Sequence, residues 1–131
     1  METLLITGTA LWCFKHEVLT RNKERVGGLF ITGALPFHQH ATDIALTEKA
    51  IELSGNEYYS VPLDCISQLY IGFDEYYTKT LMPNFGLSGQ PLRITTSNGQ
   101  VMYFFIDYHF FGNANQNWFN QIKALIVEAG V

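Results

Sequence analysis

PLRITTSNGQVMYFFIDYHFF, residues 91–111, is the stretch from which the fold is read. Leu92, Ile94 and Thr96 alternate into Asn98-Gly99, the strongest short-range signal for a tight β-hairpin. In the returning strand Met102, Phe104, Ile106, Tyr108 and Phe110 form one apolar row, expected to face the core. Val101, Tyr103, Phe105, Asp107 and His109 form a mixed row on the other face. A helix is predicted immediately afterwards. Asn113 can cap it, with Gln116 three residues on as a capping-box partner. Trp118, Ile122, Leu125 and Ile126 then fall at helical spacing on one side, and Gly130 ends the run.

Upstream, the same period-two pattern repeats between turns. Ile44 and Leu46 are separated from Ile51 and Leu53 by Thr47-Glu48-Lys49, which reads as a hairpin. Gly55-Asn56 turns the chain into Tyr59 and Val61, and Pro62 marks a strand end or a sheet edge because it cannot donate a ladder hydrogen bond. Leu69, Ile71 and Phe73 form one face of the next strand. A long connection rich in Gly and Pro then leads to Pro91. Nearer the start, TLLITGTALWCF reads as a strand buried on both faces, KHEVLTRNKER as a charged hairpin tip, and GGLFITGAL as a further strand closed by Pro36.

The 131 residues suit one domain spanning 1–131, long enough to bury a core without covalent staples. Charged residues make up 15% of the chain and hydrophobic ones 47%, a charge deficit against the about 25% of an ordinary soluble domain. Low charge with many aromatics is the composition of interface centres, which implies either that a protein partner or a second copy covers part of the surface or that the domain is compact with a neutral Asn, Gln, Ser and Thr surface. A net charge of −4 opposes nucleic-acid binding. Cys13 and Cys65 lack metal-ligand or disulfide spacing and are expected to be buried thiols in a reducing compartment. The opening residues lack the basic region of a signal peptide, and no apolar run reaches the roughly 20 residues of a membrane span, so a cytoplasmic location is expected.

The order of elements, carried by IALTEKAIEL, SVPLDCISQLYIG, PLRITTSNGQVMYFF and NWFNQIKALI, resembles the pleckstrin-homology superfold, including its GRAM-like and bacterial branches. The match runs from about residue 41 to 128. The resemblance implies a mainly β fold: a partly open barrel of about seven antiparallel strands in two near-orthogonal sheets, capped by the single C-terminal α-helix with Trp118 as its plug. It also implies a non-catalytic module that binds lipids, peptides or proteins, without a cofactor.

Four sets of residues qualify as sites. Lys15, Arg21, Lys23 and Arg25 fit a loose spacing by which some members of that superfold hold inositol phosphates, and in a strand Arg21, Lys23 and Arg25 would point the same way, which motivates a peripheral lipid-binding alternative at a membrane surface. Asp74, Tyr76, Tyr77, Met82 and Phe85 mix acid, aromatic and thioether groups suited to gripping a partner, or to covering apolar sheet. His38 and His40 share a side of an extended segment, a spacing metals use, but no third ligand adjoins them and no metal is expected. Asp107 and His109 on one strand face motivate the last alternative, a small-ligand pocket or enzyme near His109, although no serine sits in a nucleophile elbow and no phosphate loop is present.

Overall fold

The computed structural model describes residues 4–24, 35–82, 89–109 and 112–130, with the backbone alone for 21–24 and 128–130. It is mainly β. Seven strands, β1 (Leu4–Phe14), β2 (His40–Thr47), β3 (Ala50–Ser54), β4 (Tyr58–Pro62), β5 (Ile66–Ile71), β6 (Leu92–Thr96) and β7 (Val101–Ile106), are joined by a helix α1 (Lys15–Glu24) after β1 and followed by α2 (Asn115–Gly130). All pairings are antiparallel, and the hydrogen-bonded order β4-β3-β2-β1-β7-β6-β5 makes one continuous ladder that curls into a half-barrel. The β1–β7 pairing, Ala10 opposite Ile106 through Phe14 opposite Met102, joins a four-strand half to a three-strand half.

Local chemistry sets the turns. Thr47 Oγ1 accepts the N–H groups of Lys49 and Ala50, closing the β2–β3 hairpin where the sequence places it. Gly99, at φ 89°, takes the left-handed corner of the β6–β7 turn, a conformation that side-chain-bearing residues adopt at a cost. β7 stops at Ile106 rather than continuing to Phe111, because Asp107 adopts φ 50° and turns the chain.

The concave side holds the main core. Leu46, Ile51, Leu53, Leu92, Ile94, Met102 and Phe104 are sealed by Trp118 and Ile122 of α2, the helical face expected from the sequence. The start of α2 differs in detail. Asn113 Oδ1 accepts the Asn115 N–H at 2.9 Å, and Gln116 donates forward to Asn120 instead of back toward a cap. Asn115, buried, is the anchor: its Oδ1 accepts the Ile106 N–H at 2.9 Å, and its Nδ2 donates to the Gln90 and Phe104 carbonyls at 2.8 and 3.0 Å. Asn115→Ala is expected to cost about 2 kcal/mol, since it strands buried backbone groups, and a guanidinium unfolding midpoint lowered at constant slope would register it.

A second core covers the convex face. The row Val101, Tyr103 and Phe105, read from sequence as mixed, is packed with Cys13, Val18, Tyr77, Leu81 and Met82, so both faces of β7 are buried. β1 departs in the opposite direction: Ala10, Trp12 and Cys13 are buried and Leu11 and Phe14 partly so, while Leu4 and Leu5 are 60% and 41% exposed where β7 no longer runs beside it.

KHEVLTRNKE is helical rather than a strand or hairpin tip. Glu17 Oε1 accepts the Phe14 N–H at 2.8 Å, the backward half of a capping box, and Val18 buries the turn against the convex core. The strand geometry that would align Arg21 and Lys23 is therefore absent, and Arg25 lies outside the described residues. The expected strand in residues 27–35 falls there too, except for Leu35, which is irregular and exposed. Among the described residues, no helix is long and apolar enough to cross a membrane.

Candidate functional site

Among the concavities that the described residues form, two lie side by side at the end of the half-barrel where β1 finishes and β2 and β4 begin. The first, about 220 Å³, is lined by Trp12, Phe14, His40, Thr42, Glu57 and Tyr59 among others. Antiparallel register brings these together: Trp12 stands opposite His40 across β1 and β2, and Tyr59 opposite Leu53 across β3 and β4. Trp12 is nearly buried, stacks on His40 with ring centres 4.3 Å apart, and donates its indole N–H to Thr42 Oγ1 at 3.0 Å. Phe14 meets Trp12, His40 and Tyr59 edge-on at 5.3–5.8 Å. Edge-on geometry places the positive ring edge of one aromatic against the negative face of the next, so the rings of the wall brace one another.

His40 Nε2 lies 2.9 and 3.0 Å from the two Glu17 carboxylate oxygens, and the same carboxylate caps α1. Helix, strand β2 and aromatic wall are thus tied by one acid. Neither the pair nor its tie to Trp12 was legible in the sequence, where Glu17 and His40 stand 23 positions apart and in different elements.

The second concavity, about 300 Å³, lies in the seam between β4 and the β6–β7 turn and is lined by Tyr59, Ser60, Val61, Pro62, Cys65, Thr96, Ser97, Asn98 and Gln100. Tyr59 OH donates to Gln100 Oε1 at 2.5 Å, forming a bar between the two concavities. Cys65, expected buried, is partly exposed on this wall; its hydrogen bond to Asp64 raises the thiol's pKa and disfavours the thiolate. Cys13 is fully buried, and burial followed by the Glu17 charge raises its pKa further.

The sequence-derived sites are placed as follows. Lys15 opens α1 with its Nζ 3.9 Å from the centre of the Tyr76 ring. Asp74 lies against β6 and β7: its carboxylate accepts the Tyr76 and Tyr77 N–H groups, the Tyr103 hydroxyl and Arg93 Nη1, all at 2.8–2.9 Å. Burial raises the Asp74 pKa, but those four hydrogen bonds outweigh it and hold the carboxyl below its ordinary value. Tyr77 is fully buried, with its hydroxyl donating to the Phe37 carbonyl at 2.7 Å, and Met82 is buried beside it. This segment covers apolar sheet, the second of the two roles open to it, and Tyr77 and Met82 present no side chain to a partner. Phe85 lies outside the described residues.

His38 Nδ1 contacts the Pro36 carbonyl at 2.9 Å, away from the Glu17–His40 pair. Among the described residues no group of three metal-ligating side chains converges. Asp107 and His109 do not share a strand face: Asp107 receives the Thr9 N–H at 2.9 Å, while His109 forms a backbone bridge to Gly112 beyond the end of β7.

No protein-family model matches the chain, and no curated protein is significantly similar to it.

Proposed function

We propose that the chain is a pleckstrin-homology-like, non-catalytic module that binds another protein, or a second copy of itself, at the end formed by Trp12, Phe14, His40 and Tyr59. The strand order, the half-barrel curl and the C-terminal helix packed into its concave side are compatible with that superfold. The observation that carries the choice of partner is the lining of the two concavities: among the described residues neither includes a lysine or arginine, and together they present aromatic rings, amides and hydroxyls, with the His40 imidazole and the Glu57 carboxylate in the first. Aromatic rings beside hydrogen-bonding groups that include no lysine or arginine suit a protein surface, whereas a phosphorylated headgroup calls for converging cations. Lys15, the member of the basic stretch whose side chain is described, has its Nζ over the Tyr76 ring and lines neither of these two concavities but a separate one, with His16, Leu19 and Gln100.

The test is site-directed photo-crosslinking in cells, with benzoylphenylalanine replacing exposed Asn56 on the rim and, as control, exposed Gln121 on α2. A discrete protein adduct at position 56 and none at 121, competed by unlabelled protein, is expected. Equal adducts at both positions, or no protein adduct combined with salt-sensitive pelleting on anionic vesicles, would overturn the reading in favour of nonspecific contact or lipid.

A further inference from the structure

We infer that the seam beside β4 is a site for an extended, uncharged peptide that adds a strand to the sheet, paired through the main chain of Ser60. The inference rests on the reading of this end as protein-binding and names the form the partner takes there. β4 is the outermost strand of its half of the sheet. Its ladder alternates, and the bonds at either end of it set the phase: Leu63 N–H to the Lys49 carbonyl at 2.9 Å, and Gly55 N–H to the Glu57 carbonyl at 3.0 Å. Pairs two residues apart share a bonding pattern, so Val61 with Ile51 and Tyr59 with Leu53 exchange the hydrogen bonds. Ser60, opposite Glu52, is a non-bonded position whose N–H and C=O point away from β3, toward the open edge.

Pro62 occupies the next outward position. It contributes a carbonyl but no N–H, which limits the length over which a guest can pair and fixes its register. An unprotected edge invites any strand, and a proline there restricts the choice. What distinguishes this edge from a bare one is the seam. The opposite wall is built by Thr96 to Asn98, Gln100 and Cys65, giving a concavity with room for roughly one or two guest side chains at the low end of ligand-site volumes. Main-chain pairing supplies affinity in such strand addition, and the pocket beside it supplies selectivity. All the lining side chains are uncharged, so a charged guest residue would lose hydration there without an ionic partner.

The probe is a phage-displayed library of random octapeptides selected on the full-length chain, followed by fluorescence anisotropy with the selected peptide. Ser60→Pro removes the outward N–H while leaving the β3 bonds of Tyr59 and Val61 in place, and Pro62 shows that β4 accepts proline at an outward position. Affinity is expected to fall about tenfold or more in Ser60→Pro and to stay within about twofold in Ser60→Ala, which keeps the N–H. Should Ser60→Pro lose its folded circular-dichroism spectrum, N-methylation along the peptide decides: losses at alternate positions support strand pairing. Three outcomes overturn the inference: no selectable uncharged peptide, binding indifferent to both Ser60→Pro and N-methylation, or a wild-type dimer that Ser60→Pro converts to monomer. A protein adduct at position 56 together with any of the first two leaves the binding function standing and removes this mode of recognition.

Discussion

Trp118→Ala is expected to destabilise the protein by about 3–5 kcal/mol, a large share of the about 5–15 kcal/mol that holds a typical domain together. The indole is 2% exposed and, with Ile122, sits among the side chains that β6 and β7 turn into the concave core. Alanine would lose the transfer energy of the ring and leave a cavity that a curled sheet, fixed by hydrogen bonds on its other strands, cannot collapse to fill. Urea unfolding followed by circular dichroism should show the midpoint lowered by roughly 2 M, given a slope of about 2 kcal/mol/M. Gln121→Ala, on the exposed side of the same helix, should move it by less than about 0.5 kcal/mol. Matching midpoints for the parent and Trp118→Ala would mean that α2 does not seal the half-barrel.

What could be read from the sequence was what local pattern encodes. Alternation around Asn98-Gly99 identifies β6, β7 and their turn because the hairpin is closed by neighbours, and Thr47-Glu48-Lys49 does the same for β2 and β3. The apolar stripe of α2 was visible for the same reason, since residues three and four apart share one face. α1 escaped because it buries little. Val18 is its one fully buried side chain among those described, so apolar period gives no signal, and the usable clue was Glu17 placed three residues after Phe14. The convex core escaped for a different reason. A row such as Val101, Tyr103 and Phe105 looks half-polar until something distant covers it, and the cover comes from Val18 on one side and Tyr77 to Met82 on the other. The seam was legible only in fragments: Pro62 announced an edge, but its opposite wall comes from a turn more than thirty positions later in the chain.

The two sides of β7 divide the labour of the molecule. The concave side, stoppered by α2, leaves the far end of the half-barrel open and lined with aromatics; the convex side is closed by chain segments that hold β1, β6 and β7 from behind. The open end is therefore tied to contacts made on the opposite face. Glu17 is the connection, capping α1 on the convex side and holding His40 against Trp12 at the mouth.

The same dependence makes Asp74 the second position of large effect. Its carboxylate, 13% exposed, gathers two backbone N–H groups of its own turn, the Tyr103 hydroxyl of β7 and the Arg93 guanidinium of β6, and Arg93 in turn donates to Gln68 of β5. Asp74→Ala leaves a partly buried cation and three donors without their acceptor, and is expected to cost about 3–5 kcal/mol. Asp74→Asn is close in shape but uncharged, and its amide N–H₂ faces donors, so most of that loss should remain. The pH dependence separates charge from shape. Because the folded carboxyl lies below its ordinary value of about 4, its contribution is fully present above that value and is lost as pH falls through the folded pKa. Stability measured by urea unfolding should therefore decline in the parent below about pH 4, and decline less steeply in Asp74→Asn, which cannot take up that proton. Parallel pH profiles for the two proteins would show that the carboxylate is not what ties the convex segment to the sheet.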